Sequence, residues 1–153
     1  MDLDIRRADP RRGAVRDLVV RHLTGMQENS PPESVHALGI DALADPSVRF
    51  WAAWAGADLA GIGALTMLDD DRGEIKSMRV ADAFLGRGVG RRMLQHILAD
   101  AGERGIRSLW LETGSTPEFT PAVRLYESEG FVRCPPFPPY RPDPFSLFLT
   151  VSL

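Results

Sequence analysis

Between Val48 and Val80 three extended segments follow one another with no helix between them. VRFWAAWA, Val48 to Ala55, is rich in the β-branched and aromatic residues that suit a pleated sheet. The turn AGAD follows, and Leu59 to Leu68 is its hairpin partner. The turn DDDRG then leads into EIKSMRV, Glu74 to Val80. Parallel neighbours need a crossover of a dozen or more residues. Neither turn offers one, which argues against a doubly wound parallel sheet.

The flanking segments complete a mixed α/β (α+β) pattern. Leu3 to Ala8 reads as a strand, and Pro10 opens a helix to about Leu23, with Val15, Leu18, Val19 and His22 on one face. Met26 to Ser34 is expected to be a loop, since Pro-Pro stops a helix. Glu33 to Leu43 is expected to form a second, short helix, irregular at Gly39. A third helix is predicted from Gly88 to about Arg104. Val89, Met93, Leu94, Ile97, Leu98 and Ala101 form its apolar stripe. Arg107 to Thr113 is a strand, and a helix from Pro121 to Ser128 ends at Gly130, a suitable left-handed cap. Phe131 to Cys134 begins a further strand, and Phe145 to Leu153 is the last. The order β-α-α-β-β-β-α-β-α-β-β predicts a mixed sheet with helices on both faces, in one domain over residues 1–153.

Composition narrows the function classes. A net charge of −3 gives no reason to expect a nucleic-acid partner. One cysteine, Cys134, cannot build an internal disulfide framework. No apolar run approaches the ~18 residues of a membrane span, and MDLDIRRADP lacks a signal-peptide pattern. A cytoplasmic protein with no membrane partner is expected. His22 and His96 lack metal-ligand spacing, so no metal is expected, and Cys134 reads as inert. Trp51, Trp54 and Trp110 read as core. Of the 18 basic residues all are arginine except Lys76. Lys76 reads as a partner of Glu74 across the sheet.

FLGRGVGRRML, Phe84 to Leu94, places three glycines where a helix must begin. Each glycine inside a helix costs about 1 kcal/mol relative to alanine. A strand running into such a turn and then a helix makes an anion site. Glycine lets backbone N–H groups converge, and the first helical turn adds about half a positive charge. Arg87, Arg91 and Arg92 are placed to supplement it, and a diphosphate suits the cradle. No Gly-Lys-Ser/Thr follows, and position 91 is not the glycine a dinucleotide fingerprint needs. The plain alternative is a glycine-rich turn with no ligand.

MRVADAFLGRGVGRRML resembles motif A of the GNAT acyltransferases, Q/R-x-x-G-x-G/A, with Leu85 where Gln or Arg is usual. LYESEGF, Leu125 to Phe131, resembles their LY-x-x-x-GF motif. SPPESVHAL, EIKSMRV, LETGS and PFPPYRPDPFSLFL are similar to the YsnE-like bacterial subgroup. The resemblance covers nearly the whole chain. It implies a central mixed, mostly antiparallel sheet of six to seven strands, splayed between strands 4 and 5. It also implies acetyl-coenzyme A as cosubstrate. The diphosphate would lie on the amides of Leu85, Gly86, Arg87, Gly88, Val89, Gly90 and Arg91. The pantetheine arm would pair with the backbone of Met78, Arg79 and Val80. A homodimer is common in the family.

Acyl transfer needs a neutral amine, a stabilised oxyanion and a thiolate that can leave. Tyr126, the tyrosine of the LY motif, is the acid implied for the sulfur; a phenol with a pKa of ~10 can protonate a thiolate. Glu74 and Glu112 are the alternative bases, with a water chain as a third. The acceptor pocket is implied to lie between Glu28–His36 and Phe137–Ser146, with Glu33, His36, Tyr140 and Arg141 as contacts. Arg141 suits a carboxylate. The expected activity is N-acetylation of a small-molecule amine through a ternary complex. A protein lysine or amino-terminal acetyltransferase is one alternative, and a non-catalytic acyl-coenzyme A module is the other.

Overall fold

A computed structural model describes every residue of the chain except His36. Seven strands, β1 (Asp4–Arg7), β2 (Arg49–Ala55), β3 (Asp58–Met67), β4 (Arg72–Val80), β5 (Ser108–Gly114), β6 (Val132–Arg133) and β7 (Ser146–Ser152), form one sheet. Their order is β1-β2-β3-β4-β5-β7-β6. Every neighbouring pair is antiparallel except β4 and β5. The helices are α1 (Gly13–Asn29), α2 (Ile40–Leu43), α3 (Val89–Glu103) and α4 (Thr120–Ser128).

The alternation of β2 explains the layers. Phe50 and Ala52 point to one face and Trp51 and Ala53 to the other. On the first face α1 and α2 contribute Val15, Leu18, Val19 and Leu43 to a core with Ile62 and Ala64. On the second, α3 and α4 bury Val89, Met93, Leu94, Ile97, Ala101 and Tyr126 against Leu65, Ile75, Leu109 and Leu111. The apolar stripe expected of α3 is this buried face, with Leu98 at its margin.

Two expectations are corrected. The first helix starts at Gly13 rather than Pro10 and runs to Asn29, through the segment read as a loop from Met26. Ser30 and Pro31 stop it, both in extended conformation. Gly25 sits inside the helix because a Cβ there would lie 2.8 Å from Nη1 of Arg79. The helix expected over Glu33–Leu43 is instead a 3-10 turn at Pro32–Ser34 and the single turn α2, begun after an extended Gly39.

β4 carries a bulge. Ile62 pairs Arg79 and Ala64 pairs Lys76, so Ser77 and Met78 together oppose Gly63. Ser77 takes φ 54, a left-handed conformation that costs a non-glycine residue about 1–2 kcal/mol. Bulges bend a strand and raise its twist, and this one lies where β4 parts from β5.

Candidate active site

β4 and β5 pair only at Arg72–Ser108, Gly73–Leu109 and Glu74–Trp110. Each strand continues, held on its outer side: β4 by β3 as far as Val80, β5 by β7 as far as Gly114. The sheet therefore opens from Ile75 and Leu111 onward. The facing edges of the two strands carry backbone donors and acceptors that do not pair with each other, an arrangement that accepts an added extended chain.

The glycine-rich turn lies at the end of that opening. Gly86 (φ +74) and Gly88 (φ +82) are left-handed, and a Cβ at either would meet nothing within 4 Å. These glycines serve backbone direction, not crowding. Gly88 is the N-cap of α3 and has no side-chain cap; the first helical bond runs from the Arg92 N–H to the Gly88 carbonyl, 3.1 Å. The first-turn N–H groups, which precede that bond, have no partner within the helix, as an anion site requires. Gly90 differs: its Cβ would come within 3.2 Å of Leu125 and 3.5 Å of Val80, so it lets α3 pack closely. The arginines do not all supplement the cradle. Arg91 donates to Ser128 Oγ and Glu129 Oε1, both at 2.9 Å, and ties α3 to α4. The Arg87 guanidinium lies over the Phe84 ring at 4.9 Å.

Tyr126 lies on the α3–α4 side of the sheet, in the core with Leu109, Leu111 and Phe131. It is 7% exposed and edges onto Phe131 at 5.7 Å between ring centroids. Among the described residues its hydroxyl has no hydrogen-bond partner. Burial pushes its pKa up to about 12, so the phenol stays protonated at neutral pH.

The carboxylates occupy the opposite face. Glu74 pairs across the sheet with Thr66 and Trp110, and Glu112 with Phe148. Glu74 is buried and its Oε2 accepts from the Tyr140 hydroxyl at 2.5 Å. Lys76 Nζ donates to the same Tyr140 oxygen at 2.5 Å and lies 3.2 Å from Glu74 Oε2. The Lys76 and Glu74 side chains are only 14% and 6% exposed. Burial, the hydrogen bond to Glu74 and the charges of Glu74 and Glu112 drive the Tyr140 pKa far above its usual value, so Tyr140 acts as a neutral donor. Glu112 Oε2 accepts from Ser146 Oγ at 2.7 Å.

Tyr140 reaches this face because Phe137 anchors its loop. Phe137 packs edge-on against Trp110, Tyr140 and Phe148 at 5.1–5.8 Å. Asp143 accepts from Ser34 Oγ at 2.6 Å and joins the loop to the turn after α1. Glu33, Glu74, Lys76, Tyr140, Arg141 and Asp143 line a cavity of about 510 Å³. Sequence reasoning named Glu33, Glu74, Tyr140 and Arg141 as site residues, and the fold brings them together. Glu112 lies beside this cavity rather than in its lining. His36 lies outside the described residues. Lys76 and Asp143 were missed as site residues; the signal for Lys76 was its being the one lysine of the chain. Among the described residues no group of three or more His, Cys, Asp or Glu is arranged to hold a metal ion. Among them, too, no helix is long and apolar enough to cross a membrane.

Residues 12–131 match the Acetyltransferase (GNAT) family. The chain is 52% identical over 136 residues to the N-acetyltransferase YsnE of Bacillus subtilis (strain 168), covering 89% of this chain and 90% of that protein. It is 35% identical over 153 residues to the IAA acetyltransferase of Azospirillum brasilense, covering 99% of each. The crystal structure of a GNAT family acetyltransferase from Elizabethkingia anophelis with acetyl-CoA bound superposes with a TM-score of 0.72 at 21% identity, over 99% of this chain and 98% of that one.

Proposed function

This chain is an N-acetyltransferase of the GNAT family, and on that premise we propose that it acetylates the amine of a small molecule by direct transfer from acetyl-coenzyme A. One observation carries the reading. The β4–β5 pairing ends at Glu74–Trp110, so the opening has a carboxylate cavity on one face and a neutral buried phenol on the other. A cavity of about 510 Å³ is in the usual range for small ligands. The name of the A. brasilense relative, IAA acetyltransferase, points the same way.

The residues present fit the cosubstrate. The Leu85 N–H is taken by the Asp82 carbonyl at 3.4 Å; the amides of Gly86 to Arg91, beside the open space at Gly86 and Gly88, are left to hold a diphosphate. The bulged edge of β4 at Met78, Arg79 and Val80 offers backbone groups to an amide-bearing arm. Acetyl-coenzyme A supplies an activated acyl carbon and a thiolate leaving group. Glu74 takes a proton from the acceptor ammonium, and Tyr126 gives one to the departing sulfur. Tyr140 and Arg141 orient the acceptor, and holding an amine against a thioester supplies several kcal/mol without further chemistry.

An acceptor screen that follows free thiol tests this reading, with amino acids, polyamines, aminoglycosides and peptides. Saturable release with at least one small amine is expected. Release only with peptides or proteins, from protein that binds coenzyme A, overturns it. The base is tested by Glu74→Gln and Glu112→Gln, each assayed against pH: Glu74→Gln is expected to remove the rise in kcat/KM. Loss of that rise in Glu112→Gln alone reassigns the base.

A further inference from the structure

We propose that Lys76 is itself an acetyl acceptor, so that the protein modifies its own cavity when no external amine is present. The inference rests on the reading that the thioester reaches the β4–β5 opening. Lys76 is the one ε-amine in a chain that uses arginine at its other basic positions. It lines the acceptor cavity and stands two residues past the last β4–β5 pair, on the same sheet face as Glu74. Its Nζ is held by the two groups that an acceptor ammonium would use: the Glu74 carboxylate at 3.2 Å and the Tyr140 hydroxyl at 2.5 Å. In effect the chain's own amine occupies the amine subsite. Arginine would keep the charge there but has no proton it can lose and no nucleophilic lone pair at neutral pH.

The step balances without another reactant. The Lys76 ammonium gives one proton to Glu74, which passes it to solvent. The freed lone pair attacks the thioester carbonyl. A C–N bond forms, the C–S bond breaks, and the electron pair leaves on sulfur. The second nitrogen proton goes with it, giving the coenzyme A thiol. The products are Nε-acetyl-Lys76, free thiol and one proton. Acetylation removes the charge that neutralises Glu74 and one donor to Tyr140, so the modified protein presents a more negative amine subsite.

The experiment incubates the full chain with acetyl-coenzyme A and no acceptor, then reads intact mass and a peptide map. A gain of about 42 Da, the mass of one acetyl group for one hydrogen, is expected on the Lys76 peptide. The gain should be absent from Lys76→Arg, slowed in Glu74→Gln, and slowed in the wild type by excess unacylated coenzyme A. Calorimetry with coenzyme A on the same sample separates the two readings. Binding with thiol release to an external amine, but an unlabelled Lys76, overturns self-acetylation alone. Labelling that excess coenzyme A does not slow is solution chemistry and also overturns it. No binding heat overturns self-acetylation and the proposed function together.

Discussion

Gly88→Ala separates the two things a glycine can do at a helix start. Gly88 sits at φ +82, where an L side chain costs about 1–2 kcal/mol. A Cβ there meets no atom within 4 Å, so the destabilisation is conformational and not a clash. For a chain of this size each kcal/mol moves the melting temperature by about 2–4 °C, so a fall of about 2–8 °C is expected. Gly102, inside the same helix and equally uncrowded, has no positive φ. Gly102→Ala should therefore raise stability by about 0.5–1 kcal/mol, because alanine loses less backbone entropy in a helix. The same substitution thus has opposite signs fourteen residues apart. Coenzyme A binding adds a second reading. A methyl group in the open side of the cradle obstructs a charged hydrogen bond worth about 1.5–3 kcal/mol, so calorimetry should give a Kd about 10- to 150-fold weaker. If Gly88→Ala melts no lower than the wild type, the left-handed cap is wrong. If it melts lower but binds coenzyme A unchanged, the diphosphate lies elsewhere.

Three further outcomes follow from the same geometry. Tyr126→Phe should lower turnover roughly 10- to 1000-fold; because burial lifts the phenol to about 12, wild-type kcat should not fall near pH 10, and a fall there would contradict a protonated acid. His22 is buried, and burial first, then the Arg79 charge, lowers its pKa from 6.5 to about 4. The unfolded chain then binds the extra proton, so the His22 contribution is intact above pH 6.5 and shrinks by up to about 3 kcal/mol as pH falls toward 4. Urea unfolding at pH 7 and pH 4.5 should show a smaller acid loss in His22→Leu than in the wild type; equal losses would refute the assignment. Lys76→Met leaves the buried Glu74 charge without its cation and should cost about 3–5 kcal/mol. Tyr140→Phe removes one neutral donor and should cost about 1–3 kcal/mol, so the reverse ranking in chemical denaturation would refute a charge-centred network.

Local signals were read well where they act over a few residues. The three successive strands, the apolar stripe of α3, the left-handed cap at Gly130 and the glycines at 86 and 88 all follow from periodicity, turn chemistry and permissible φ. The reading failed where a distant residue decides the matter. The helix expected to end near Leu23 runs on to Asn29, with Gly25 inside it leaving room for the guanidinium of Arg79, far along the chain. The Arg91 side chain, expected to supplement the cradle, has its contacts with Ser128 and Glu129 set by the packing of α3 on α4.

What the amino-acid order determined alone is the set of elements, their sequence and the direction of the backbone at the helix start, because sterics and hydrophobic period are local. Which side chains share a cavity was decided by the tertiary structure. Pairing register puts Glu74, Lys76 and Glu112 on one face and leaves Tyr126 behind the other. The packing of Phe137 then carries Tyr140 across 66 residues of sequence to the carboxylate of Glu74. That contact depends on the closing of a whole sheet, and no window of sequence contains it.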